Sequence, residues 1–245
     1  MSEDKGKGQA EKEKLSGRIR WLAFLGAVVT VATLTTFAAP AAQMAPTTFV
    51  AVPSAANSNT KLRAAAEPFE NLTEISFTAA WTRIDQTAAK AEAAAGRARG
   101  SLSKDAAVQL DAQIAAIKSA LQQHDRAGLA LSSIEGYRVL VSAVTDNAKI
   151  PTEVSLLDYA GFRYDANLKA HPIRWDEMAS TVSFARKTWN TLSPTAKASP
   201  VATKFEKAIS DMGKAVVERN KSLAASSVKT ELALVDQLEK FFSAH

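Results

Sequence analysis

The chain has 245 residues, 47% hydrophobic but only 7% aromatic, with a formal net charge of +5 and no cysteine. The lack of thiols excludes disulfides, thiolate metal sites, covalently attached c-type haem and a cysteine nucleophile, and leaves the redox compartment open. Charges of both signs are interspersed, with no basic block and no interleaved aromatic platforms, which argues against nucleic-acid binding.

Residues 1–20 form a charged leader that we expect to stay in the cytoplasm. From Trp21 to Thr60 there is no charged side chain, and the stretch "WLAFLGAVVTVATLTTFAA" (residues 21–39) is about the length that crosses a hydrocarbon core. Arg18 and Arg20 precede it, so the positive-inside rule places the chain beyond it on the exported side, the periplasm of a bacterium. Ala39 and Ala41 around Pro40 offer an A-x-A cleavage pattern and favour a signal peptide. The long leader and long apolar run suit a retained transmembrane helix in the inner membrane. Residues 40–60, rich in Pro, Ala, Ser and Thr without a sustained period, read as a flexible spacer.

Beyond the spacer the pattern is helical and it repeats. A first helix is expected around Lys61–Phe77, interrupted by Pro68. Trp81 then opens a run with Ile84, Ala88, Ala91, Ala95 and Ala98 at helical spacing. Four of these are only alanine, which predicts close approach to neighbouring helices. Gly96 and Gly100 close this helix, and Ser103 or Asp105 caps the next, whose seam is Leu110, Ile114, Ile117 and Leu121. A fourth seam comes next in Ala130, Ile134, Tyr137, Val141 and Val144.

The second half runs in the same order. A helix lies between Pro151 and Pro172, and Trp175 stands 94 residues after Trp81 (175 minus 81). Met178, Val182, Ala185, Trp189 and Leu192 continue its seam until Pro194 and Pro200 end it, with Ser199 as the next cap. Phe205, Ile209, Met212 and Val216 match the third seam, and Ala224, Val228, Glu231, Val235 and Leu238 match the fourth with one polar exception. No period-2 strand pattern competes. The predicted fold is therefore all-α: an internally duplicated up-and-down helical bundle, about four helices per repeat, after an N-terminal hydrophobic helix. The repeats span residues 61–150 and 151–245, and Trp81 and Trp175 are expected to anchor their cores.

Motifs for chemistry are scarce. His124, His171 and His245 are widely separated, without a partner at ligand spacing, and Glu-x-x-His pairs, Gly-rich phosphate loops, G-x-S-x-G and H-E-x-x-H are missing. Met178 and Met212 occupy seam positions and read as core. "SLSK" (residues 101–104) reads as a helix cap. No catalytic residue, metal ligand or cofactor is assigned.

The halves differ most where a site is easiest to build. Glu135, Tyr137 and Arg138 precede Asp158, Tyr159, Phe162 and Arg163 in a helix far more polar and aromatic than its counterpart. Asp158, Tyr159 and Phe162 are expected on roughly one face. A pocket lined by Tyr137, Tyr159 and Phe162, with Arg138 or Arg163 as anchor, is the candidate site for a small anionic or aromatic ligand. The expected function is that of an exported, non-enzymatic binding or interaction protein whose partner is an unknown protein or small molecule. The alternative is a cofactor- or metal-binding bundle without cysteine ligation; an enzyme ranks below both.

Overall fold

The structure is a computed structural model that describes residues 55–145 and 149–244, with side chains from residue 58 onward. The Trp21–Ala39 stretch, His245 and most of the spacer lie outside the described residues. Among those described there are eight α-helices, one short 3-10 turn (Arg99–Ser101) and no strand. The helices are α1 (Ala55–Ile75), α2 (Trp81–Ala98), α3 (Lys104–Gln123), α4 (Arg126–Ser142), α5 (Thr152–Lys169), α6 (Trp175–Ala196), α7 (Ala202–Val217) and α8 (Lys221–Ala244). None of them is long and apolar enough to cross a membrane.

Capping side chains set several boundaries. Ser103 Oγ accepts from the Ala106 amide at 3.2 Å and starts α3; Asp125 Oδ1 accepts from the Gly128 amide at 2.9 Å and starts α4. At the other end of α3, His124 is left-handed (φ 53°) while the Asp125 amide reaches back to the Ala120 carbonyl at 2.9 Å. The α7–α8 turn repeats this. Arg219 is left-handed (φ 47°), the Asn220 amide bonds the Ala215 carbonyl at 2.9 Å, and Asn220 Oδ1 caps α8 through the Leu223 amide at 3.0 Å. Both turns close a helix with the Schellman pattern, using a non-glycine residue where glycine is usual.

Neighbours keep one order in both sets of four. In the first set α1 packs on α2 and α4, and α3 packs on α4; in the second α5 packs on α6 and α8, and α7 packs on α8. Each set surrounds its own hydrophobic cluster, centred on Phe69, Ile84, Leu129 and Ile134 in one and on Met178, Trp189, Phe205 and Val235 in the other. The clusters meet at α5. Tyr159 and Phe162 belong to the first, and Val154, Leu157, Ala160, Tyr164 and Leu168 to the second, so α5 is buried nearly all round.

Several expectations change. The first helix starts at Ala55, within the stretch read as spacer, and runs unbroken through Pro68. Proline removes one backbone bond and costs about 3 kcal/mol in a helix interior, but Leu62, Ala65, Ala66, Phe69 and Leu72 bury one face along both sides of it. Gly96 and Pro194 likewise lie inside α2 and α6. The residue capping α7 is Val201, with Ser199 Oγ accepting from the Val201 amide at 3.4 Å.

The alanine face of α2 packs far more closely on α1 than on α3. A shallow groove of about 170 Å³ separates α2 from α3, lined by Ala88, Ala89, Ile114 and Leu121, whereas Trp189 and Phe205 stack at 4.7 Å between α6 and α7. Trp81 and Trp175 are half-buried on the rims of their clusters. Each opens a helix, so its ring closes the end of a layer. Trp81 is held there by His124 edge-on at 4.7 Å and by the Arg126 guanidinium 4.6 Å from the ring centre.

Candidate functional site

Glu135 and Arg138 lie one turn apart on α4, and Tyr159 and Arg163 one turn apart on α5, so each pair shares a helix face. Packing of α4 against α5 brings the four together. The Tyr159 hydroxyl donates to Glu135 Oε1 at 2.7 Å, Arg163 Nε lies 3.2 Å from the same oxygen, and Arg138 Nε lies 2.8 Å from Oε2. Arg163 extends the chain of pairs to α6, where Nη2 meets Glu177 Oε2 at 2.8 Å. The Tyr159 ring stands edge-on to Phe184 at 5.3 Å, with the Arg138 guanidinium 5.8 Å from its centre. Burial and then the Glu135 charge push the Tyr159 pKa up. For Arg138, burial pulls the pKa down but the Glu135 contacts outweigh it, and the net direction is up.

Three members of this network, Glu135, Arg163 and Glu177, face an open cleft of about 420 Å³, within the range of small-ligand sites, while Arg138 and Tyr159 hold Glu135 from outside it. Glu135 and Arg163 line it with Gln113 of α3, Ser132 of α4, and Arg174 and Glu177 at the start of α6. Asn167 of α5 lines it too. It is 1% exposed, its Nδ2 donates to the Arg163 carbonyl at 3.0 Å, and its Oδ1 has no hydrogen-bond donor. The Arg174 amide donates to the Asn167 carbonyl at 3.2 Å, which ties the start of α6 to the end of α5.

Of the seven residues singled out from sequence, Glu135, Arg138, Tyr159 and Arg163 gather here and the other three do not. Phe162 is buried in the first cluster. Tyr137 is buried elsewhere, its hydroxyl hydrogen-bonded to the Ser155 side chain; burial first, then the charges of Asp158 and Glu70, raise its pKa well above the usual value. Asp158 is buried beside it, 5% exposed. The expected aromatic pocket of Tyr137, Tyr159 and Phe162 therefore does not form. Adjacent helical residues point about 100° apart, so Asp158 and Tyr159 serve different faces of α5.

Sequence reasoning missed Asn167, Arg174, Glu177 and Gln113. Arg174 and Glu177 flank Trp175 and read only as helix-start charges; nothing in their spacing ties them to α4. Among the described residues no group of three or more histidine, aspartate or glutamate side chains is placed to hold a metal ion. His124 packs on Trp81 and His171 is exposed beyond α5.

No protein-family model, curated protein or solved structure matches this chain.

Proposed function

We propose that the protein is an exported, non-enzymatic binding module whose small polar ligand seats in the cleft between α4, α5 and α6. The observation that carries this reading is Glu135, fixed from three sides by Tyr159, Arg138 and Arg163 on the wall of an open cleft. Charges held by their neighbours before a ligand arrives lose little freedom on binding, which is what preorganised recognition requires. The same arrangement disfavours catalysis. Both oxygens of Glu135 already meet protein donors, and no nucleophile–base pair stands out among the residues that line the cleft.

Two further parts belong to the reading. The eight helices are one four-helix unit used twice, supported by the shared neighbour order and by the matching turns at His124–Asp125 and Arg219–Asn220. The uncharged Trp21–Ala39 stretch behind Arg18 and Arg20 directs the bundle to the periplasm, released by cleavage near Ala39 or tethered to the inner membrane. Intact mass and fractionation of the protein from its host read out which.

The binding reading is tested by thermal unfolding against a library of small polar metabolites. A ligand at 100 times its Kd adds about 2.7 kcal/mol, a clear rise in Tm, and the rise is lost in Arg163→Ala. A library that never shifts Tm removes the reading.

A further inference from the structure

We infer that the outward face of α2 and α3 is a docking surface for a second copy of this chain, which sets the same face against it. The charges of both helices keep off this face. Along α2, Thr82, Gln86, Ala89, Ala93 and Gly96 follow one another at spacings of 4, 3, 4 and 3, and all are exposed. The charged residues recur every seventh position on either side of that row. Arg83, Lys90 and Arg97 hold one edge; Asp85 and Glu92 hold the other, continued by Arg99 just past the helix end. On α3 the same spacing gives Val108, Ala112, Ala115, Ser119 and Gln122, again all exposed. Asp111 and Lys118 lie on the edge of α3 toward α2, where they pair with Arg99 and Glu92 at 2.5 Å each. Two uncharged rows therefore run side by side, with the apolar α2–α3 groove between them.

The second half keeps no such face. Adding 94 to the α2 row and 95 to the α3 row, the offsets at which the seams match, leads to exposed positions on α6 and α7. Four of those are charged: Asp176, Lys187, Lys207 and Lys214. The rows on α2 and α3 carry no charge at any position. The side of a surface helix that looks away from its core is ordinarily its charged side. An uncharged face two helices wide marks a contact.

The chemistry of the face points to a copy of itself. With no charge to match, it suits an equally uncharged surface, and an acidic or basic partner finds nothing here to pair with. Small side chains in both rows let two helix layers come close, since interaxial distance follows the side chains at the contact. Val108, 59% exposed, is one of two large hydrophobics classed as exposed among the described residues. With half-buried Ile114 and Leu121 at the groove, it supplies the apolar contact. Each row covers 14 steps (96 minus 82, 122 minus 108), about 21 Å at 1.5 Å per residue. Two helices side by side, each about 10 Å across, make a face of about 400 Å². That is about half of what each partner gives to a standard interface, so the dimer is weak, with a Kd in the micromolar range.

The test is sedimentation equilibrium of the full chain in mild detergent, at concentrations from below to above that Kd. Ala93→Lys with Ala112→Lys gives the face two of the lysines that the second half carries; Ala93→Glu with Ala112→Glu gives it the opposite charge. The wild-type protein is expected to dimerise reversibly, and each charged protein to do so about tenfold or more weakly, with unchanged helix content by circular dichroism. An equimolar mixture of the two charged proteins should recover the dimer as a mixed pair, because a face that meets itself then sets lysine near glutamate. If helix content falls in either protein, Gln86→Lys with Gln122→Lys and the matching glutamate pair repeat the test at longer exposed side chains. A wild-type protein that stays monomeric throughout overturns the inference, as does a dimer that persists undiminished in both charged proteins. A mixture that stays monomeric overturns it too, since the face then meets something other than itself.

Discussion

Tyr137, Tyr159 and Tyr164 are the three tyrosines of the chain, and all are buried. Burial is the leading cause of a raised pKa in each; Asp158 adds to it at Tyr137 and Glu135 at Tyr159, while Tyr164 donates to the Met212 carbonyl at 3.0 Å. The folded state thus favours the neutral phenol, with folded pKa values above the unfolded value of about 10. Their stabilisation is whole below about pH 10 and is lost as pH climbs through the raised values. In a spectrophotometric titration at 295 nm, no tyrosine is expected to ionise near its usual pH. The absorbance should rise only with alkaline unfolding, and a smooth rise near pH 10 in folded protein would contradict the burial. Tyr159→Phe removes one hydrogen bond to Glu135 but leaves both guanidinium groups in place. It should cost about 1–2 kcal/mol in urea unfolding.

At the scale of elements, α5 decides most. Close contact with α8 requires Gly161, where an added Cβ would collide with Glu231 and Leu232, and Glu231 is fully buried at that crossing. Gly161→Ala should therefore destabilise by roughly 1–3 kcal/mol, the cost of overpacking. Gly96 is the control. It sits exposed within α2 with nothing near its Cβ position, so Gly96→Ala should stabilise by about 0.5–1 kcal/mol through helix propensity. Chemical denaturation of the two variants separates close packing from propensity. The α2–α3 groove offers a third measurement at this scale. Ala88→Leu should fill part of it and raise Tm by about 2–4 °C per kcal/mol gained.

For the whole molecule, the question is whether two hydrophobic clusters mean two folding units. The helices beyond Val52 group as one compact body, with α5 contributing to both clusters and Phe184 and Leu232 packed against both. A helix shared in this way cannot leave one core without exposing the other. Calorimetry should show a single transition, with calorimetric and van't Hoff enthalpies equal. Leu157→Ala empties a fully buried position on α5 and should cost about 2–5 kcal/mol, moving that one transition down without splitting it. Two separated peaks would mean that the cores melt independently.

The all-helical architecture was legible in the chain because apolar spacing of three and four residues, alanine content and polar punctuation are local properties, and a helix makes its hydrogen bonds locally. The seams through Ile84, Leu110, Ile134, Met178, Phe205 and Val228 are buried as their period requires. Local rules misjudged Pro68 and Pro194, where burial along the helix outweighs one lost bond. They also missed the placement of Trp81 and Trp175, since period alone does not say which layer ends a bundle. The candidate site was half legible. Glu135, Arg138, Tyr159 and Arg163 stood out because their stretch is more polar and aromatic than the rest of the helical pattern. Asn167, Arg174 and Glu177 carried no such signal; only the packing of α4 on α5 and the turn into α6 brings them to one cleft. Periodicity reports which face of a helix is greasy. Which polar groups then meet across helices, and which are left with spare hydrogen-bonding capacity, depends on contacts between residues distant in sequence, and only the tertiary structure decides those.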